Sequence, residues 1–167
     1  MGARVRVALA SVVLLAGCTT GSRPAAAPAG PPGAAAATGC AARVETGALP
    51  DWARAGFSGD ARMPHVLGAH GDIVAALFAH PLAVERADGS NNKILWVARP
   101  VATSPATTAP ATLEITATLD GTDTRVTREV AGGPGPSIID LPRAGCWHLV
   151  LRWSGRTDTM DLVYADS

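Results

Sequence analysis

Residues 113–119 have the sequence LEITATL, and residues 147–153 have the sequence WHLVLRW. In both stretches every second side chain is apolar, and the first stretch places a polar residue at each position between. A period of two residues is typical of a β-strand with one face buried and the other in water. The two stretches therefore predict half-buried strands, and the fold class follows from what surrounds them.

Further short apolar stretches lie around these two strands and are separated by Gly, Pro, Asp and Asn. Strands are predicted at 72–79, 82–86, 93–99, 113–119, 124–130, 138–141 and 147–153, with a last strand through Met160, Leu162 and Tyr164. The stretches 72–79 and 93–99 are apolar on both alternating faces, which is typical of central strands. Eight or so short strands predict an all-β fold, an immunoglobulin-like antiparallel β-sandwich, with a small β-barrel as the alternative.

The sequence also predicts which of the large aromatic side chains are buried in the core. Trp147 and Trp153 share an apolar strand face with leucines, which predicts that both pack in the core. Trp96 lies on a strand with two apolar faces, and it is the tryptophan we most expect at the surface. The segment around Trp52 and Phe57 is expected to form one helical turn that covers an open end of the sandwich.

The N-terminus has the features of a bacterial lipoprotein signal. Arg4 and Arg6 precede an apolar run, VALASVVLLA, at positions 7–16. Ten helical residues span about 15 Å, which is half of a hydrocarbon core and too short to cross a membrane. The sequence LAGC that ends at Cys18 resembles the lipobox, in which the cysteine thiol accepts a diacylglyceryl group. We therefore predict a cleaved signal peptide at residues 1–17 and a lipid anchor on Cys18; an ordinary signal peptide is the alternative.

Residues 18–39 contain the lipidation site and a stretch rich in Ala, Pro and Gly. Prolines prevent a continuous helix there, and the composition offers no apolar periodicity, so we predict a solvated tether. At about 3.1 Å per residue, residues 19–38 would reach at most roughly 60 Å. Residues 40–167 remain as the predicted β-sandwich domain, held at the outer face of the cell membrane.

The composition limits the partners that the domain can have. The chain has 167 residues, of which 47% are hydrophobic, with 14 basic and 14 acidic residues. Removal of residues 1–17 takes away two arginines and leaves a net charge of −2. Such a chain has no excess of positive charge to neutralise phosphates, which argues against nucleic-acid binding.

The chain has three cysteines. With Cys18 lipidated, Cys40 and Cys146 remain as a pair in an exported protein, and such pairs are commonly bridged. The bridge would close a loop of about 105 residues, for which the chain-entropy model gives about 4.7 kcal/mol. Because Trp147 belongs to the apolar face of its strand, Cys146 is expected on the opposite face. Two buried free thiols are the alternative.

Residues 136–147 have the sequence PSIIDLPRAGCW. This segment resembles the C-terminal part of small bacterial, actinobacterial-type envelope lipoproteins of unknown function, which end in a Pro-Ser…Pro-x-x-Gly-Cys-Trp segment and a final hairpin. In those proteins a second cysteine lies near the start of the domain, as Cys40 does here. The resemblance implies a lipid-anchored β-sandwich and supplies no reaction.

The motifs of common catalytic sites are missing from the sequence: it contains no Gly-x-Ser-x-Gly, HExxH, CxxC or P-loop pattern. We therefore predict a module that is not an enzyme, needs no cofactor and binds an envelope protein or polymer. A small-ligand or metal-binding lipoprotein is the alternative, and an enzyme without a recognisable motif is a second one. The weak candidate metal set is His65, His70, Asp72 and His80.

Overall fold

The computed structural model describes residues 40–101 and 112–167. The predicted signal peptide, the lipidation site Cys18 and the predicted tether therefore lie outside the described residues. None of the helical structure in the described ranges has the length and apolar composition needed to cross a membrane.

Nine strands and one short 3₁₀ turn, Asp51–Ala53, are found in the described ranges. The strands are β1 His65–Leu67, β2 Ile73–Leu77, β3 Leu82–Ala83, β4 Lys93–Ala98, β5 Thr112–Leu119, β6 Arg125–Ala131, β7 Pro136–Ile138, β8 Gly145–Trp153 and β9 Arg156–Ala165. They form a four-stranded sheet in the order β1-β2-β4-β7 and a five-stranded sheet in the order β3-β9-β8-β5-β6. All neighbouring strands are antiparallel except β3 and β9, which are parallel. The predicted all-β sandwich is confirmed.

The main core lies between the two sheets, and the strand register explains why. Leu149 of β8 lies opposite Ala117 of β5 on one side and opposite Met160 of β9 on the other. Residues opposite one another on neighbouring strands share a sheet face, and all three of these side chains are buried. The alternation seen in the sequence thus becomes one continuous apolar surface that faces the four-stranded sheet.

Trp96 is a correction to the sequence-based expectation. It is 1% exposed and belongs to the core between the sheets, together with Ile94 of the same strand. Its ring Nε1 donates a hydrogen bond to Ser137 Oγ of β7 at 2.9 Å. A buried indole needs such a partner, and β7 supplies it because β7 is the strand next to β4.

A second apolar layer covers the outer face of the four-stranded sheet. Val74 and Ala76 of β2 point to this face, where they pack against Leu49 and residues of the 3₁₀ turn. Trp52 and Phe57 pack against the same layer, so they cover a sheet face and not the open end that the sequence suggested. The reason is that β2 is buried along its whole length, and a strand apolar on both faces needs cover on both.

Several predicted strands have different bounds in the structure. The strand predicted at 138–141 occupies Pro136–Ile138 instead. The strand predicted at 82–86 is reduced to Leu82–Ala83, and the side chain of Asn92 occupies its free edge. Asn92 accepts a hydrogen bond from the Ala83 amide at 3.1 Å and donates one to its carbonyl oxygen at 2.7 Å. These two bonds occupy the backbone groups that a neighbouring strand would otherwise use.

Cys40 and Cys146 form the predicted disulfide, with Cα atoms 5.8 Å apart. Cys146 lies opposite Val163, which is exposed, whereas Trp147 lies opposite the buried Leu162. The cysteine is therefore on the outer face of the five-stranded sheet, as its alternation with Trp147 predicted. The bridge fastens the first described residue of the chain to that face.

Candidate functional site

Three of the four residues of the weak metal set contact other protein groups, beginning with the histidines His65 and His70. His65 is buried, and its Nδ1 lies 2.9 Å from the carbonyl oxygen of Met63. His70 is exposed, and its Nδ1 lies 3.2 Å from a carboxylate oxygen of Asp158. Each imidazole thus contacts a different part of the domain.

The other two residues of that set are also apart from each other. Asp72 forms an ion pair with Arg156 at 2.6 Å, and His80 is an exposed residue after β2. One group of three potential ligand residues with ligand atoms within 4.8 Å of one another occurs in the described ranges: Cys40, Cys146 and Asp161. Its two sulfur atoms are joined in the disulfide.

Asp161 supports the attachment of the N-terminal segment next to the disulfide. One carboxylate oxygen accepts a hydrogen bond from the Ala41 amide at 2.8 Å, and the other lies 2.8 Å from Nδ1 of His148. His148 is exposed on the outer face, as its alternation with Trp147 predicted. Both acceptor oxygens therefore have partners, and the arrangement explains how the segment is held.

Asp158 is a buried polar residue that the sequence did not single out for structure. Its carboxylate is fully buried and accepts hydrogen bonds from the amides of His70, Asp72 and Thr159 at 2.8–3.0 Å. It faces the core and Asp161 faces outward, because residues three apart on a strand point to opposite faces. The signal was present: Asp158 lies on the same alternating face as Met160, where an apolar residue is expected.

A groove of about 760 Å³ lies beside β4, and we call it the β4 groove. Residues 95–101 line it from β4 and the segment that follows, and the β8–β9 hairpin contributes Trp153, Ser154 and Arg156. Its apolar lining side chains include Phe57, Phe78, Leu95, Val97, Val101 and Trp153. Leu95 and Val97 are partly buried by the second apolar layer, whereas Phe78 and Val101 are each about half exposed. This groove therefore combines a covered floor with apolar walls that are open to solvent.

Two arginines lie at one end of the β4 groove. The guanidinium of Arg99 stacks over Trp52 at 5.1 Å and donates through Nε to the Gly71 carbonyl oxygen at 3.1 Å. Arg156 donates to the carbonyl oxygen of Arg99 at 2.8 Å, in addition to its ion pair with Asp72. Trp52 and the Gly71 carbonyl oxygen hold the guanidinium group of Arg99. The Arg99 carbonyl oxygen and the Asp72 carboxylate hold that of Arg156.

Lys93 lies near the other end of the groove, where its ammonium group is 5.0 Å from the centre of the Phe78 ring. All fourteen acidic residues of the chain lie in the described ranges, and none of them forms an ion pair with Lys93 or Arg99 there. Lys and Arg are both ionised at neutral pH. Lys93, beside the groove, and Arg99, in its lining, thus have no carboxylate partner, whereas Arg156 is paired with Asp72.

Clearly shifted pKa values occur elsewhere in the described chain. Burial raises the pKa of Tyr164 above its usual range, and the nearby Asp140 raises it further, so its hydroxyl stays protonated and donates to the Ile139 carbonyl oxygen. Hydrogen bonds from Ser90 lower the pKa of the exposed Asp88 to about 2. Both groups belong to structural contacts outside the β4 groove.

The sequence signal for the β4 groove was the alternation within the predicted strand 93–99. Lys93, Leu95, Val97 and Arg99 fall on one face, with a cation at each end of an apolar pair. The pattern indicated a strand with two apolar faces, but it did not show that one face would remain partly open. No protein family, curated protein or solved structure that was compared with this chain matches it.

Proposed function

We propose that the chain is an exported lipoprotein, anchored through Cys18 to the outer face of the cell membrane, whose β-sandwich binds a component of the cell envelope. The observation that carries the binding function is the β4 groove, a largely apolar channel lined at one end by Arg99, which has no ion-pair partner in the described ranges. Exposed aromatic and apolar side chains in a concave surface are a feature of binding sites, because they release water when a ligand covers them.

The side chains that line the β4 groove in the described ranges favour binding over catalysis. Apart from Ser154, they are apolar, aromatic or cationic groups such as Arg99 and Arg156, and the lining contains no carboxylate, histidine or cysteine in the described ranges. Arginine stays protonated in proteins, so it binds and orients anions but does not exchange a proton at neutral pH. A non-enzymatic module is therefore the function that this chemistry supports.

The size of the groove bears on which partner it takes. Pockets for small ligands have volumes of about 300–1,000 Å³, and the β4 groove falls within that range. Stable protein interfaces bury roughly 800 Å² on each partner over a broader surface. The volume of the groove therefore favours a small ligand over an envelope protein or polymer as the partner.

The membrane attachment supports the same function. The predicted tether would let the domain reach up to roughly 60 Å from the membrane. The disulfide holds Cys40, the first described residue and the one that follows the predicted tether, against β8. A module arranged in this way can search the space next to the membrane without unfolding from its tethered end.

Photocrosslinking in intact cells tests the proposed binding function. A photoreactive residue at Phe78, in the groove, is compared with one at Val163, which is equally exposed on the other sheet. We expect an adduct that depends on position 78, detected as a mass shift of the purified protein. Equal adducts at both positions, or no adduct at position 78, would contradict the proposal.

We also infer that the sandwich is of the immunoglobulin type. The order β6-β5-β8-β9 has the neighbours of strands C′, C, F and G of that fold, and β2-β4-β7 has the neighbours of strands A, B and E. Nuclear Overhauser contacts between Ala117 of β5 and Leu149 of β8, which are not consecutive strands in the sequence, test the pairing on which this order depends. Their absence would contradict this assignment.

A further inference from the structure

The floor of the β4 groove is a narrow apolar strip. Leu95 and Val97 point to the same side of β4 because side chains alternate along a strand. Phe78 and Val101, two of the exposed large apolar residues of the described chain, border this strip. Such a strip matches an extended hydrocarbon chain better than it matches a globular apolar surface.

The end of this strip at Arg99 is positive although the domain as a whole is negative. Three of the fourteen basic residues precede residue 40, so residues 40–167 carry eleven basic and fourteen acidic residues. In spite of that excess of acid, Arg99 has no carboxylate within ion-pair distance in the described ranges, which hold every acidic residue. The neighbouring Asp72, whose carbonyl oxygen accepts from the Arg99 amide, forms its ion pair with Arg156 instead.

The guanidinium of Arg99 is held in place for contact with an anion. Stacking on Trp52 and the bond from Nε to the Gly71 carbonyl oxygen fix the plane of the group. A fixed planar guanidinium can donate two parallel hydrogen bonds to a carboxylate, which are among the stronger hydrogen bonds in proteins. The geometry thus combines a positioned anion donor with an apolar strip that begins next to it.

From these observations, and resting on the binding function proposed above, we propose that the β4 groove binds a single-chain anionic amphiphile. The carboxylate of the ligand pairs with Arg99, and its hydrocarbon chain lies over Leu95 and Val97 toward Phe78. Charge complementarity selects the anionic head, and the apolar strip selects the chain. A fatty-acid anion has both features.

Calorimetric titration with dodecanoate, below the concentration at which it forms micelles, tests this ligand class. The protein is the chain from Thr19 to Ser167, because every described strand and both cysteines of the bridge lie within residues 40–167. We expect saturable binding of one ligand per chain. Dodecyltrimethylammonium has the same chain length and the opposite charge, and we expect it to bind at least tenfold more weakly.

Two groove variants and two matched controls test where the ligand binds. Arg99→Gln should weaken dodecanoate binding about tenfold, because it removes the charge-assisted pair. Phe78→Ser should weaken it several-fold through loss of apolar contact. Arg125→Gln on β6 and Val163→Ser on β9 remove equally exposed groups of the other sheet and should leave binding unchanged. Thermal unfolding of each variant confirms that it is folded.

Three results would overturn the assignment. They are equal binding of both amphiphiles, unchanged binding by Arg99→Gln, and no binding of dodecanoate at all. A crosslink from position 78 to residues 102–111 of the same chain would likewise assign the groove to the protein's own segment.

The test separates this inference from the function on which it rests. A position-78 adduct in cells together with no dodecanoate binding would reject the ligand class and keep the binding function. The absence of both would reject both.

Discussion

A Cβ atom added to Gly68 would lie 2.3 Å from Oδ2 of Asp158, inside the closest distance that two such atoms can share. Gly68 follows β1, and Asp158 lies on the core side of β9. The buried carboxylate therefore packs directly against the backbone of the turn between β1 and β2. It also accepts hydrogen bonds from two backbone amides of that turn. This contact joins one sheet to the other, because β1 and β9 belong to different sheets.

Gly68→Ala should destabilise the domain by about 1–3 kcal/mol, the usual cost of forcing an extra methyl group into a packed site. Gly47→Ala is the matched control, because an added Cβ there meets nothing within 4 Å. Chemical denaturation of both variants measures the free energy of unfolding. Equal stability of the two variants would show that the carboxylate can move aside at no cost.

Asp158→Ala removes the acceptor of the amides of His70 and Asp72, and leaving a buried amide unpaired costs about 1–3 kcal/mol. The same change creates space beside Gly68. The penalty of Gly68→Ala should therefore shrink in the Asp158→Ala background, which a double-mutant cycle measures. Strictly additive penalties would contradict a direct contact between the two residues.

Cys146→Ser should cost about 2–5 kcal/mol of unfolding free energy, the usual range for a native bridge. The loss should appear first as faster hydrogen exchange in residues 40–47, because the core between the sheets does not depend on the bridge. Thiol titration of the unfolded, unreduced chain from Thr19 should find no free thiol, and two titratable thiols would contradict the bridge.

Cys18→Ala should abolish the incorporation of a fatty-acid analogue into the protein in growing cells, because it removes the thiol that we predict to accept the diacylglyceryl group. Cys40→Ala is the control for the loss of a cysteine outside the LAGC sequence, and we expect its labelling to be unchanged. Labelling that persists in Cys18→Ala would reject the predicted lipoprotein anchor.

Local alternation predicted much of the fold but could not predict how the sheets are covered. Half-buried strands such as β5 can be recognised in the sequence, because polar residues on the solvent face alternate with apolar residues on the buried face. Strand β4 is apolar on both faces, and the sequence could not tell which face meets the other sheet; Trp96 therefore proved buried where exposure was expected. That choice depends on long-range contacts, such as the bond from Trp96 to Ser137.

The candidate site depended on the same long-range information. The β4 groove exists because the segment around Trp52 and Phe57 covers β2 and leaves the outer side of β4 partly open. A local sequence pattern does not predict how many strands of a sheet such a covering segment will cover. The disulfide, by contrast, could be predicted from the number of cysteines and the expected export, since a single pair remains after lipidation.

The buried side-chain amide of Asn92 bonds to the backbone N–H and carbonyl oxygen of Ala83, as a neighbouring strand would. It also donates a hydrogen bond to Asp140 at 2.7 Å. Asn92→Ala would leave the amide and the carbonyl oxygen of Ala83 without these partners. We expect a loss of about 2–4 kcal/mol, from two buried backbone groups at about 1–3 kcal/mol each with partial relief by water.

Asn91→Ala is the matched control, because Asn91 is the exposed neighbour of the same type. It should change the unfolding free energy by less than about 0.5 kcal/mol, as surface substitutions usually do. Because β3 pairs with β9 through Leu82 and Ala83, Asn92→Ala should also speed hydrogen exchange at the Val84 amide, which donates to the Ala165 carbonyl oxygen. Unchanged exchange there would show that the β3 edge is held by the pairing with β9 alone.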